Sequence, residues 1–124
     1  MNDLIAKARR AARSARLLLE AGDADGAVSR AYYAMFDMAR AVLADIDPDL
    51  ASAKKHQTVI RRFSEQMVRK RGLDPEIGRS FRKAFDARAI ADYGTAEVDL
   101  HRAATVVEAM EKFLSALSAT ISDD

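Results

Sequence analysis

The sequence predicts an all-α fold, an up-and-down bundle of about five helices, and three observations carry that expectation. Apolar residues recur at spacings of three and four in five separate stretches. The connections between them are short and marked by Gly, Pro and Asp. No stretch sustains the alternation with β-branched residues that a strand needs, and no internal repeat or low-complexity segment is present.

In the first helix Leu4, Ala8, Ala11, Ala15 and Leu18 form one stripe, with Lys7, Arg9, Arg10, Arg13 and Arg16 outside it and Gly22 as the stop. Asp23 or Asp25 caps the second helix, expected from about Ala24 to about Ala44, which turns Val28, Tyr32, Met35, Ala39 and Val42 inward until Asp45-Ile46-Asp47-Pro48 breaks it. Pro48 to Lys54 reads as the longest loop. From about Lys55 the third helix carries Val59, Ile60, Phe63 and Met67 and ends at Arg71-Gly72. Asp74-Pro75-Glu76 combines a cap, a proline at the first helical position and an early acid, so it starts the fourth helix, which ends near Tyr93-Gly94. Thr95 is expected to open the last helix, with Leu100, Ala103, Val107, Met110, Leu114, Leu117 and Ile121 repeating along it. Ser122-Asp123-Asp124 reads as a frayed tail.

At 124 residues the chain fits one domain, 1–124, with roughly two thirds of its unfolded surface buried on folding. Twenty Lys and Arg against 19 Asp and Glu leave a net charge of +1, so any nucleic-acid binding must be local. The absence of cysteine excludes disulfides, a thiolate metal site and a cysteine nucleophile. No apolar run approaches the ~18 residues of a membrane span, and the N-terminus is not signal-like, so the expected setting is cytoplasmic and away from membranes. No glycine-rich phosphate loop, paired-histidine metal motif, EF-hand loop or serine elbow occurs, so neither a metal nor a cofactor is implied.

Two placements do not follow from packing alone. On the fourth helix the inward stripe Ile77, Phe81, Ala84, Phe85 continues onto Arg88 and then Asp92. A buried guanidinium needs a partner, so Arg88 either pairs with Asp92 one turn away or faces a pocket or interface that admits an anion. On the second helix Arg30, Tyr33, Asp37 and Arg40 share one side, with Ala34 and Ala41 as small neighbours. That face serves a helix or dimer contact, or else Arg30 and Tyr33 meet phosphate and base. Lys54-Lys55-His56 at a helix start makes an anion site or a solvated turn. His101 reads as surface or capping, and Arg69-Lys70-Arg71 as favourable charge at a helix C-terminus.

Arg30-Ala31-Tyr32-Tyr33-Ala34-Met35-Phe36, Lys55-His56, and Arg88 followed by Ala91-Asp92-Tyr93-Gly94 together resemble the HEPN family (higher eukaryotes and prokaryotes nucleotide-binding), in its small stand-alone, uncharacterised branch. The resemblance runs nearly end to end. It implies a helical bundle, a homodimer, and a gene often paired with a minimal nucleotidyltransferase as toxin and antitoxin. Many members are metal-independent RNases whose arginine is followed, after four to six residues, by histidine. Here Asp92 and Tyr93 follow Arg88, His101 lies too far along, and Asp37 stands where relatives often carry histidine. The resemblance therefore assigns nucleotide or RNA binding to Arg30, Tyr33, Lys55 and Asp92, and any catalysis to Arg88, His56 and Tyr93. The alternatives are an endoribonuclease toxin and a non-catalytic helical interaction module.

Overall fold

The computed structural model describes residues 2–94 and 98–121. It contains five α-helices and, among the described residues, no strand: α1 Asn2–Glu20, α2 Ala24–Ala44, α3 His56–Phe63, α4 Pro75–Tyr93 and α5 Leu100–Ser118. The all-α bundle expected from the periodicity is the fold observed.

Helix boundaries follow local chemistry. Gly22 closes α1 in a Schellman turn, with the Asp23 amide donating to Leu18 O and its own to Leu19 O. The Asp23 carboxylate then accepts from the Gly26 amide and opens α2. Asp74 accepts from the Glu76 amide ahead of Pro75, and Asp99 accepts from Arg102.

α2 packs against each of the other four helices. Its expected stripe of Val28, Tyr32, Met35, Ala39 and Val42 is buried throughout. α1 and α2 are in extensive contact, and Ala8, Ala11 and Ala15 on the one and Ala27, Ala31 and Ala34 on the other are all buried; small residues let helix axes approach closely. Beneath this layer Phe63, Phe81 and Phe113 meet with ring centroids 5.3–5.5 Å apart, which joins α3, α4 and α5 at one aromatic centre. Each such ring contributes roughly 1.5–3 kcal/mol by leaving water.

The structure corrects the expected elements at three places. The Pro48 to Lys54 loop is not structureless: Pro48–Ser52 is a 3₁₀ turn capped by Asp47, which seats Leu50 in the core. The third helix is not uniform, because α3 passes into a π-helical segment, Ser64–Arg69, with the Lys70 amide donating to Glu65 O. Finally, α5 does not begin at Thr95. Thr95 and Glu97 lie outside the described residues, but Val98 and Asp99 are non-helical, since the Val98 amide donates to Asp25 and Asp99 is the cap. Leu100, at the first turn, is half exposed instead of facing the core. The expected frayed tail, 122–124, also lies outside the described residues. Among the described residues no helix is long and apolar enough to cross a membrane.

Candidate functional site

Three elements converge on one aromatic cluster: α2 brings Tyr32, Tyr33 and Phe36, α3 brings its first residue His56, and α4 brings Phe85, Arg88, Asp92 and Tyr93. The start of α3 is fixed from α2. Arg40 donates from Nη1 to the carbonyls of Ala51 and Ala53, at 3.2 and 3.5 Å, while its Nη2 donates to Asp37 at 2.7 Å. Asp37 is 4% exposed and Arg40 largely covered, and the Arg40 guanidinium also lies 4.9 Å over the Phe36 ring. A polar strut of this kind sets where the chain leaves the 3₁₀ turn and therefore where His56 enters the cluster.

Arg88 is 7% exposed. Its guanidinium carbon lies 5.2 Å from the Tyr32 ring centre, 5.8 Å from Tyr33, 5.6 Å from Phe85 and 5.7 Å from Tyr93. Ring faces attract a cation by about 0.5–2 kcal/mol depending on desolvation, and they leave its N–H groups unused. The one protein hydrogen bond it makes among the described residues, from Nη1 to Asp92, is 3.4 Å long, near the limit for such a bond. Nε is buried and has no partner among the described residues. Burial opposes the Arg88 charge, but Tyr33 and the Asp92 carboxylate outweigh it and hold the pKa above its ordinary value. The residue is thus a fixed cation with donor capacity to spare.

His56 is sandwiched beside this cation, stacked on Phe36 at 4.6 Å and near Tyr32 at 5.5 Å. Its Nδ1 is 2.6 Å from the Tyr32 hydroxyl. Burial lowers the imidazole pKa, and the charges of Arg88 and Arg40 lower it further, so the ring is neutral at neutral pH. Burial likewise raises the Tyr32 phenol well above its usual value and keeps it protonated. When Nδ1–H donates to the Tyr32 oxygen, Nε2 is an acceptor with no protein partner among the described residues. A neutral base and a permanent cation then share one wall.

The family model described as HEPN domain matches residues 1–120. The chain belongs to the HEPN family. It is 30% identical to the Methanocaldococcus jannaschii protein named "Putative toxin MJ0142", over 92% of this chain and 81% of that one. A Gloeobacter violaceus protein named "UPF0332 protein glr0978" is 36% identical over 76% of this chain and 72% of its own. A Thermotoga maritima "UPF0332 protein" is 30% identical over 94% of this chain and 87% of its own.

Of the residues singled out from sequence, this HEPN chain brings Tyr33, His56, Arg88, Asp92 and Tyr93 together. Arg30 is exposed, and among the described residues it makes no hydrogen bond or ion pair. Lys55 is the exposed residue just before α3, with no side-chain cap bond, adjacent to the cluster but not inside it. His101 is exposed at the start of α5. Sequence reasoning treated Tyr32 and Phe85 as core and did not place Arg40 at the site. A signal existed for Tyr32: a buried tyrosine hydroxyl needs a partner, and one of only two histidines supplies it.

Proposed function

We propose that this single-domain HEPN protein binds RNA or a nucleotide phosphate at the Arg88–His56 cluster, acting as the toxin-like member of a pair and as a homodimer. The observation that carries this reading is Arg88, a buried guanidinium ringed by four aromatic faces with an unpartnered Nε. An unmet buried donor costs about 1–3 kcal/mol, which an anionic ligand at Arg88 would offset. A phosphate oxygen accepts from such a donor, and Tyr93, 78% exposed, offers a ring on which a base can stack. The same end of α4 also exposes Ile90, and this apolar surface supports a second copy closing over the site. Relatives named as toxins support the toxin-like role, and the family resemblance supports a minimal nucleotidyltransferase as partner.

A second reading, a metal-independent endoribonuclease, is favoured by His56 alone. Its Nε2 can take the proton of a ribose 2′-hydroxyl as that oxygen bonds to the adjacent phosphorus and the P–O5′ bond breaks. Arg88 offsets the charge gathering on the phosphoryl oxygens, and the proton passes on to the departing 5′-oxygen. The products are a 2′,3′-cyclic phosphate and a 5′-hydroxyl end.

One experiment separates these readings. Labelled RNA is incubated with wild type, Arg88→Ala and His56→Ala in the presence of a chelator, with binding measured in parallel. Binding lost in Arg88→Ala without cleavage by wild type supports the binding protein. Cleavage abolished by either substitution supports the nuclease, and wild type that neither binds nor cleaves removes both.

A further inference from the structure

A groove with a volume of about 810 Å³ lies beside this cluster, between the α3–π segment and the start of α4. Four arginines line it, Arg61, Arg69, Arg79 and Arg82, against a single carboxylate, Glu65. In a chain whose charges nearly balance, that is a local concentration of positive charge. Arg61 pairs with Glu65 and Arg79 with Glu76, but both pairs are exposed and exchange readily for another anion. Neither Arg69 nor Arg82 has an ion-pair partner among the described residues.

The groove is built into the backbone. Its outer wall is the π-helical segment, a wide turn that is uncommon and often marks a functional site. Arg71 braces that turn by donating to the Gln66 carbonyl, and Gly72, at φ +72°, ends it in a conformation other residues resist. On the facing side Gly78 lets α4 come close, since a Cβ there would stand 2.8 Å from Val68 Cγ2.

The groove adjoins the Arg88–His56 cluster through Arg82. Gln57 and Thr58, which line it, directly follow His56. Arg82 lines it as well, and its guanidinium lies 5.9 Å over Phe85, the ring that packs 6.1 Å from His56 and 5.6 Å from Arg88. Arg79, Arg82, Phe85 and Arg88 follow one another every third residue, a ridge that climbs about 13 Å along α4, at 1.5 Å per residue, while winding about half way around it, farther than one phosphate reaches.

Resting on the nucleic-acid reading above, we propose that this groove is a phosphate track that makes the preferred ligand a single-stranded polynucleotide several residues long, not a mononucleotide. The arginines hold successive phosphates while Tyr33 and Tyr93 receive a base at the Arg88 end. The groove's own aromatic, Phe63, is buried, so the track reads backbone and tolerates any sequence. An acidic protein segment is the competing occupant.

The test measures binding of a mixed-sequence single-stranded RNA of about 12 nucleotides, within the usual span of such sites, and of AMP, to the full chain. The variants are Arg69→Gln/Arg82→Gln, Arg88→Gln, and the control Arg10→Gln/Arg13→Gln, which removes the same charge from the exposed side of α1. The groove double variant is expected to lose at least about tenfold for RNA and less than about threefold for AMP, and to flatten the salt dependence by about 0.7 in log–log slope for each phosphate no longer neutralised. The control should stay within about twofold for RNA, as expected of charges distant from the ligand. The proposal is overturned if RNA binds wild type no better than AMP does, if the control loses as much as the groove variant, or if polyglutamate displaces RNA at equal concentration. Failure of the site reading looks different: Arg88→Gln would bind both ligands like wild type while the groove variant still lost RNA. All three variants alter exposed side chains except Arg88→Gln, and a melting curve confirms that each remains folded.

Discussion

The two faces of α2 are packed on different principles. Away from the aromatic cluster its buried residues are alanines, methionines, valines and Leu43, all apolar. Toward α3 and α4 it presents Tyr32, Tyr33, Phe36 and the Asp37–Arg40 pair, and that side holds a partly neutralised arginine, an imidazole bonded to Tyr32, and two buried nitrogens without a partner among the described residues, Arg40 Nε and Arg88 Nε. The first face obtains stability from apolar area. The second sacrifices stability for fixed charge, as sites commonly do.

That contrast breaks most visibly in the aromatic centre of the apolar half. Phe113→Ala, with its ring fully buried, should cost about 3–5 kcal/mol in denaturant unfolding while the folded fraction keeps wild-type affinity for RNA. Equal loss of affinity would show that the halves are not separable.

Arg40→Ala sharpens it from the other side. Leaving Asp37 buried without its cation should cost about 3 kcal/mol, and freeing the carbonyls of Ala51 and Ala53 should also weaken ligand binding by displacing His56. Adding Asp37→Asn to Arg40→Ala should restore part of the stability but little of the binding, because the strut to the 3₁₀ turn remains missing.

Smaller still is the acid response. His56 releases its proton more readily folded than unfolded, so between its lowered pKa and the unfolded value near about 6.5 the unfolded chain binds more protons. Stability therefore rises with pH through that window and is lost as pH falls below it. His56→Gln keeps a polar partner for the Tyr32 hydroxyl but cannot titrate, so the melting temperature of wild type relative to this variant should decline on acidification. A constant difference would mean that the imidazole is not depressed.

Much of this was legible in the chain because it is local. Caps at Asp23 and Asp74, the stop at Gly22 and the buried stripe of α2 follow from spacing and side-chain chemistry within a few residues. The inward turn of Arg88 followed from the same periodicity, since a stripe that runs through Phe81 and Phe85 cannot avoid the next position. What spacing could not supply is contact across the bundle. The Tyr32–His56 bond joins residues 24 apart through a turn whose geometry Arg40 sets, and Arg40 meets Ala51 and Ala53 only once the 3₁₀ turn exists. Arg30, one turn before Tyr33 in sequence, lies on the exposed side of α2 and outside the cluster. The π turn has no simple sequence mark, yet it shapes the groove wall.

The central claim is that Arg88 is held for a ligand and not for the fold, and replacing it with methionine tests that most directly. The account predicts that Arg88→Met melts at or slightly above the wild-type temperature, a gain of up to about 1 kcal/mol from removing a buried charge with an unmet donor, while RNA affinity falls at least about tenfold. A variant that is clearly destabilised yet binds RNA as wild type does would contradict it.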